Sequence, residues 1–193
     1  MLKVGICGTI GSGKSTVCHI FEDMGIPVYF ADDRAKVLMT SSIELMAKIT
    51  EAFGKKCYND GTLDRRYLAS QIFGDDSKRL LLNSIVHPAV CRDFVEWAES
   101  QKAAYVIVES AILFESGLDK VIDKSIAVVV PKQLALERAA ARDSADVEAI
   151  KARMAVQYSS EQLQSMVDFV IENIYQNTLQ EQVAKVDAIL RKL

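Results

Sequence analysis

Four residues near the amino terminus have the types and the spacing that bind phosphate. Gly8, Gly13, Lys14 and Ser15 form a G-x-x-x-x-G-K-S pattern, and an apolar run over residues 2–7 precedes it. Glycines let consecutive backbone N–H groups curl around phosphate oxygens, while the lysine reaches the β- and γ-phosphates and the serine hydroxyl binds Mg²⁺. The pattern predicts a phosphate loop for a triphosphate and disfavours the alternative, a Gly-rich turn with a solvated lysine.

The predicted phosphate contacts come from consecutive residues. They are Gly11, Ser12, Gly13, Lys14, Ser15 and Thr16. Lys14 is also a candidate catalytic residue, because its ammonium can neutralise charge on the transferring phosphate. Ser15 is the candidate metal ligand, and Mg²⁺ is the metal that this pattern predicts.

A carboxylate follows the second predicted strand, residues 28–30. Ligands of open parallel sheets bind beyond the carboxyl ends of the strands, so Asp32 is expected at the same sheet edge as the phosphate loop. There it could take the proton of a hydroxyl that attacks the γ-phosphate, or hold a water of the Mg²⁺ shell. From position alone, capping of the next helix by Asp32 or Asp33 is an equally good explanation, and Asp33 is the better cap.

Two arginines lie four residues apart on a predicted helix over residues 132–142. Arg138 and Arg142 therefore share a face, and on a lid they could neutralise charge that develops during phosphate transfer. The residues alone favour the alternative, surface salt bridges to Glu137 and Asp143.

Glu109 ends the third predicted strand, either as a carboxylate near the metal or as a solvated strand end.

Two further residues have weaker signals. His87 lies in an apolar context, where a lone histidine is more often a hydrogen-bonded core residue than a ligand. Arg65 is one of several cations that could bind a second, acidic substrate, and it could equally be solvated.

Composition limits the class of protein. The chain has 193 residues, of which 50% are apolar and 25% charged, which suits one globular domain. The net charge of −3 gives no global field for nucleic acid, so a small ligand is expected. The apolar runs fall short of the roughly 18 residues that a membrane span needs, and the first strand starts without a signal peptide, so a cytoplasmic location is expected. The cysteines lack zinc-site spacing and are predicted to be reduced packing thiols.

Strands and helices alternate along the chain. The predicted strands cover residues 2–7, 28–30, 105–109, 125–130 and 168–172, and helices are predicted over residues 13–23, 132–142 and 178–193. The middle of the chain, residues 43–102, is helical in pattern, with turns at 59–61 and 74–76 and no convincing strand. This alternation predicts an α/β fold with a parallel sheet.

Motifs along the whole chain resemble those of the dephospho-CoA kinase family. The matching segments are the loop through 9–16, Ala31-Asp32 from a D-A-D triplet, Leu63-Asp64-Arg65, His87-Pro88-Ala89-Val90, residues 113–117, and Arg138 to Asp143 with Arg153 and Gln157. Phe30 departs from the family pattern by replacing the first aspartate of the triplet. Tyr175 stands where the family has the glycine of N-x-G, after Asn173.

The resemblance implies a three-layer P-loop NTPase fold. Its core would cover about 1–31, 103–137 and 165–193, with a helical CoA-binding insertion over about 32–102 and a helical lid over about 138–164. ATP would phosphorylate the ribose 3′-hydroxyl of dephospho-coenzyme A, the last step of coenzyme A synthesis. In this scheme Asp32 is the base, Arg138 and Arg142 contact the nucleotide with Arg142 also catalytic, and Asp32, Arg65 and His87 bind the substrate.

Other functions remain open at this point. A different P-loop kinase of small metabolites or nucleosides would share the loop but should lack the motifs of the helical middle. A non-catalytic ATP-binding adaptor is also compatible with the residues. A GTPase would need an N-K-x-D motif, which the sequence lacks. A monomer or weak homo-oligomer without nucleic-acid or membrane partners is expected.

Overall fold

The main sheet consists of short, apolar, parallel strands. The computed structural model of the chain describes residues 1–143 and 147–193. The strands of the chain are β1 (Leu2–Cys7), β2 (Val28–Phe30), β3 (Tyr58–Asn59), β4 (Thr62–Leu63), β5 (Tyr105–Glu109), β6 (Lys124–Val129) and β7 (Phe169–Glu172). Five of them form one sheet in the order β2-β5-β1-β6-β7, with every neighbouring pair parallel. The predicted α/β class and its parallel sheet are confirmed.

Helices occupy most of the remaining chain. They are α1 (Lys14–Asp23), α2 (Ala31–Ser41), α3 (Ile43–Phe53), α4 (Arg65–Ile72), α5 (Asp76–Ser100), α6 (Lys132–Asp143), α7 (Val147–Ala155), α8 (Ser160–Met166) and α9 (Gln176–Leu190). The chain divides into two units, one of Met1–Phe30 with Trp97–Leu193 and the other of Ala31–Glu96. Residues 144–146, which fall in the expected lid, lie outside the described residues.

The core of the first unit lies between the sheet and two helices. Buried side chains from β1, β5, β6 and β7 pack with those of α1 and α9, among them Ile6, Phe21, Ile107, Ile126 and Val183. Parallel strands covered by helices are apolar on consecutive residues, which explains the continuous apolar runs of the sequence. β1 lies at the centre, so the residues that follow it are at the middle of one sheet edge.

The second unit contains a hairpin that the sequence analysis missed. β3 and β4 pair antiparallel, with Tyr58 opposite Leu63, in the segment where no strand was predicted. The connecting residues Asp60 and Gly61 both have positive φ, 48° and 78°. Asp-Gly is the preferred pair for a two-residue hairpin turn with this backbone. The predicted turn was correct, and the strands on either side were too short to give an alternating pattern.

The start of α2 corrects the capping hypothesis. The helix begins at Ala31, directly after β2, so Asp32 and Asp33 lie inside its first turn rather than before it. Negative charge in that position is favourable to the helix without a capping hydrogen bond. Asp33 instead pairs with Lys36 at 2.7 Å on the surface.

The cysteines are free thiols, as predicted. Cys7, Cys18 and Cys57 are buried and Cys91 is half-buried. Burial raises the pKa of Cys7 to about 12, so this thiol stays neutral at physiological pH although it directly precedes the phosphate loop.

In the ranges that the structure describes, none of the helices combines the length and the apolar character that crossing a bilayer requires.

Candidate active site

The predicted phosphate loop is the connection between β1 and α1. Gly11 and Gly13 have φ of 80° and 87°, a region that glycine enters at little cost. A Cβ atom on Gly11 would strike the carbonyl oxygen of Ala135, and one on Gly13 would strike the side-chain nitrogen of Asn173. Both positions therefore require glycine for backbone conformation and for space.

The beginning of α1 presents backbone N–H groups that have no backbone acceptor among the described residues. The Val17 amide is bonded, because it donates to the Gly13 carbonyl at 3.2 Å. Within residues 1–143 and 147–193, no backbone carbonyl accepts a hydrogen bond from the N–H groups of Lys14, Ser15 or Thr16. The amino-terminal end of a helix carries partial positive charge and binds phosphate through such groups. The loop thus has the geometry of an anion cradle.

Lys14 is held by the loop itself. Its side chain is about nine-tenths buried, and Nζ donates to the carbonyl oxygens of Gly8 at 3.1 Å and Thr9 at 3.4 Å. Nζ also lies 3.8 Å from Oε1 of Glu109, which ends β5 and is buried. The alternative prediction, that Glu109 is a solvated residue at the end of a strand, is therefore wrong. A buried ammonium needs such partners, and phosphate oxygens can replace them.

Two hydroxyls of the loop fit a bound phosphate. Thr9 Oγ1 and Ser12 Oγ are buried and have no hydrogen-bond partner among the described residues. A buried hydroxyl left without a partner costs about 1–3 kcal/mol. Phosphate oxygens would accept hydrogen bonds from these groups, so the residues present suit the ligand that the motif predicts.

The donor set also fits Mg²⁺ that is held jointly with nucleotide oxygens. Ser15 and Thr16 are exposed in the first turn of α1. Mg²⁺ usually keeps several waters and takes only one or two oxygen ligands from the protein in addition to substrate phosphates. Across the described part of the chain, no three histidine, cysteine or carboxylate side chains cluster as a metal site of their own.

Asn173, to which the sequence analysis gave no role, contacts the loop directly. Its side chain is buried, and Nδ2 donates to the Ser12 carbonyl oxygen at 2.9 Å. Its backbone carbonyl accepts a hydrogen bond from Nη1 of Arg138 at 2.8 Å. The available signal was a polar residue directly after the last apolar strand, at the same sheet edge as the loop.

A second amide side chain, from Gln157, also reaches the loop. Its Oε1 accepts a hydrogen bond from the Ile10 N–H at 3.2 Å, and its Nε2 lies 3.4 Å from the Ala111 carbonyl oxygen. A cavity of about 800 Å³ lies beside this contact, with Thr9 and Tyr158 in its lining. That volume is in the range of small-molecule sites.

Arg142 lies in the last turn of α6, one turn after Arg138, and is exposed. A cation there is favourable because the carboxyl end of a helix carries partial negative charge. Glu137, the predicted surface partner of these arginines, accepts a hydrogen bond from Nε2 of Gln133 at 2.9 Å. The side chain of Asp143, the other predicted partner, is outside the described residues.

The remaining candidates lie in the second unit. Asp32 is exposed in the first turn of α2, and His87 is half-buried in α5. Burial lowers the pKa of His87, and the charge of Asp32 partly opposes this effect, so the two side chains are close enough to interact electrostatically. Arg65 is exposed at the start of α4, whose amino-terminal cap is Asp64.

Phe30 occupies the end of β2, where the resembled family has a carboxylate. Its ring centroid lies 5.8 Å from that of His19. The position is therefore filled by a packed aromatic pair within the first unit.

A family model and a curated relative carry the same family description. A family model described as dephospho-CoA kinase matches residues 2–180. A dephospho-CoA kinase from Salinibacter ruber is 41% identical over 177 residues, which cover 90% of this chain and 89% of that protein. The crystal structure of TT1252 from Thermus thermophilus has a TM-score of 0.84 at 30% identity and covers 100% of this chain and 97% of that one. A dephospho-CoA kinase from Campylobacter jejuni has a TM-score of 0.71 at 27% identity, with 98% and 97% coverage.

Proposed function

This chain belongs to the dephospho-CoA kinase family, and we propose that it transfers the γ-phosphate of ATP to the ribose 3′-hydroxyl of dephospho-CoA, which completes coenzyme A. One observation carries the proposal. A phosphate loop with a buried Lys14, and with two buried hydroxyls that have no partner in the described part of the chain, occurs in a sequence that the family model matches over residues 2–180.

The phosphate side of the reaction belongs to the loop. We propose that ATP is bound by Gly11, Ser12, Gly13, Lys14, Ser15 and Thr16. The N–H groups of the first turn of α1 would surround the phosphates, and Lys14 would exchange its carbonyl partners for phosphate oxygens. The Ser15 hydroxyl would hold Mg²⁺, which when bound neutralises phosphate charge.

The acceptor side depends on Asp32. Asp32 lies two positions after the last residue of β2, and ligands of open parallel sheets bind beyond the carboxyl ends of the strands. We propose that its carboxylate orients the 3′-hydroxyl and takes its proton. The transition state of phosphoryl transfer is usually loose, so the proton leaves late and a strong base is not needed.

Other side chains would bind charge or the substrate. We propose that Arg138 and Arg142 contact the nucleotide and that Arg142 stabilises charge on the transferring phosphoryl group. Arg65 is exposed and could pair with the diphosphate of dephospho-CoA, and His87 could hydrogen-bond the substrate beside Asp32.

A coupled ADP-release assay tests the function. Purified protein is given ATP and Mg²⁺ with dephospho-CoA, and separately with shikimate, gluconate or a nucleoside. Turnover with dephospho-CoA alone is expected. Turnover with one of the other acceptors would favour another small-metabolite kinase, and ATP binding without turnover on any acceptor would favour a non-catalytic adaptor.

The cellular setting is proposed on chemical grounds. ATP is consumed where cytoplasmic metabolism supplies it, and the net charge of −3 offers no general attraction to nucleic acid or acidic membranes. We propose a cytoplasmic monomer or weak homo-oligomer, and light scattering across a concentration series measures the oligomeric state.

A further inference from the structure

We propose that Asn173 is a positioning residue that sets the direction of the Gly13 N–H group in the phosphate loop. The inference rests on the proposed function, because it adds a residue to the same site. It begins from a buried hydrogen bond between Asn173 Nδ2 and the Ser12 carbonyl oxygen, 2.9 Å long, between residues 161 positions apart in the sequence.

That carbonyl and the Gly13 N–H belong to one peptide group. In a trans peptide the C=O and the N–H point in opposite directions. Because Asn173 holds the Ser12 carbonyl on its own side, the Gly13 N–H must point to the other side. A rotation of this peptide would turn the N–H away and present a carbonyl oxygen to the phosphate instead.

Nothing intrinsic to Gly13 prevents such a rotation. Glycine moves between φ regions at little cost, and Gly13 has a φ of 87°. The glycine cannot be replaced by a stiffer residue, because a Cβ atom would strike Asn173 Nδ2. Asn173 therefore does two things: it leaves no room for a side chain at position 13, and its hydrogen bond to the Ser12 carbonyl fixes the peptide.

Asn173 is itself held firmly enough to serve this purpose. Its N–H donates to the Val129 carbonyl at the end of β6, and its carbonyl accepts from Arg138 on α6. The residue is 5% exposed, so its side chain has little freedom to leave the loop. Only a donor can hold a carbonyl oxygen, and therefore the amide cannot be replaced by a carboxylate of the same shape.

The test compares Asn173→Asp and Asn173→Ser with Gln182→Ala. Asp keeps the shape of asparagine but offers no donor when ionised, and Ser is too short to reach the carbonyl. Gln182 is the matched control, because its side-chain amide bonds the backbone of Glu172, the neighbour of Asn173, at 2.9 Å. Melting temperature, affinity for Mg²⁺·ADP by calorimetry, kcat and the KM for dephospho-CoA are measured for each.

We expect both Asn173 variants to lose about tenfold or more in kcat and in ADP affinity, because a displaced donor no longer meets the phosphate. Their KM for dephospho-CoA should stay within about twofold, and Gln182→Ala should keep wild-type kinetics. Near-normal ADP affinity in a folded Asn173 variant would overturn the proposal. The proposal would also be overturned if Gln182→Ala lost as much kcat and ADP affinity at an equal drop in melting temperature.

The outcomes separate this inference from the function itself. ADP binding does not require the acceptor, so it tests Asn173 even if the wild-type protein fails to phosphorylate dephospho-CoA. If Asn173→Asp does not fold, Asn173→Ser gives the answer, because it also removes the bond to Ser12 without adding charge.

Discussion

Lys14 is buried and hydrogen-bonded to its own loop, so replacing it removes a fixed positive charge from the site. We expect Lys14→Ala to lower kcat about 10²- to 10³-fold, because the transferring phosphate loses a fixed and buried cation. Steady-state kinetics measure the effect. Lys185→Ala removes a cation that pairs with Glu181 on the surface of α9 and serves as the control. Normal turnover of the Lys14 variant would contradict its proposed role.

Asp32 and Asp33 offer a matched pair for the proposed base. Both are exposed in the first turn of α2, and Asp33 pairs with Lys36. Asp32→Asn should lower kcat about 10²- to 10⁴-fold with little change in ATP affinity, because the amide cannot accept the proton. Asp33→Asn should lose only a surface ion pair, which is worth about 0–1 kcal/mol. Equal kinetics of the two variants would remove Asp32 from the mechanism.

His87 gives a pH dependence whose sign follows from its burial. Burial lowers its folded-state pKa below 6.5, so the unfolded chain binds the proton more readily. The stability that the neutral imidazole contributes is therefore present above about pH 6.5 and is lost as the pH falls below it. Urea melts between pH 5.5 and 7.5 should show this slope, and His87→Gln should flatten it. The exposed His19 is the control, and an equal effect of His19→Gln would exclude His87 as the source.

The residues of the loop were predictable because the motif fixes both residue types and spacing. For Asn173 the sequence offered only its place after the last apolar strand, because its bond to Ser12 joins segments that are far apart in the sequence. Likewise, nothing local indicated that Glu109 would lie 3.8 Å from Lys14, since that distance depends on the pairing of β1 with β5. Contacts across a sheet edge become visible only when the strand order is known.

At the scale of elements, α6 presents both candidate arginines on one face. Arg138 donates to a backbone carbonyl after β7, and Arg142 is exposed in the last turn. We expect Arg142→Ala to lower kcat about tenfold or more, with a change in melting temperature of a few degrees at most. Arg79→Ala, which breaks a surface pair with Asp76, is the control. A large fall in melting temperature with normal kcat would make Arg142 a structural contact.

The strands of the main sheet were predicted well, whereas the hairpin was missed and the start of α2 was misplaced. The strands of the main sheet matched within a residue, because apolar runs bounded by turns are strong signals. The hairpin of β3 and β4 has only two residues in each strand, too few for any period to appear. The start of α2 was misplaced because β2 passes into the helix without a loop, which leaves no capping signal.

At the scale of the whole molecule, ligand binding should increase the free energy of unfolding. A ligand at 100 times its Kd adds about 2.7 kcal/mol to the folded state when it does not bind the unfolded chain. We expect Mg²⁺·ADP to raise the melting temperature, and ADP with EDTA to raise it less, because the phosphate charge is then uncompensated. Scanning calorimetry measures both. An equal shift with EDTA would exclude a contribution of Mg²⁺ to nucleotide binding.

The position of β1 has a consequence for synthesis on the ribosome. Leu2 pairs with Tyr105 and Val4 with Lys124, so β1 has no sheet partner until segments much later in the chain have left the exit tunnel. Because the paired strands are far apart in the sequence, the sheet cannot form before the later segments are available. A nascent chain that stalls before β6 would carry every residue of the nucleotide motif and yet bind no nucleotide, and it would expose an apolar strand that chaperones must cover.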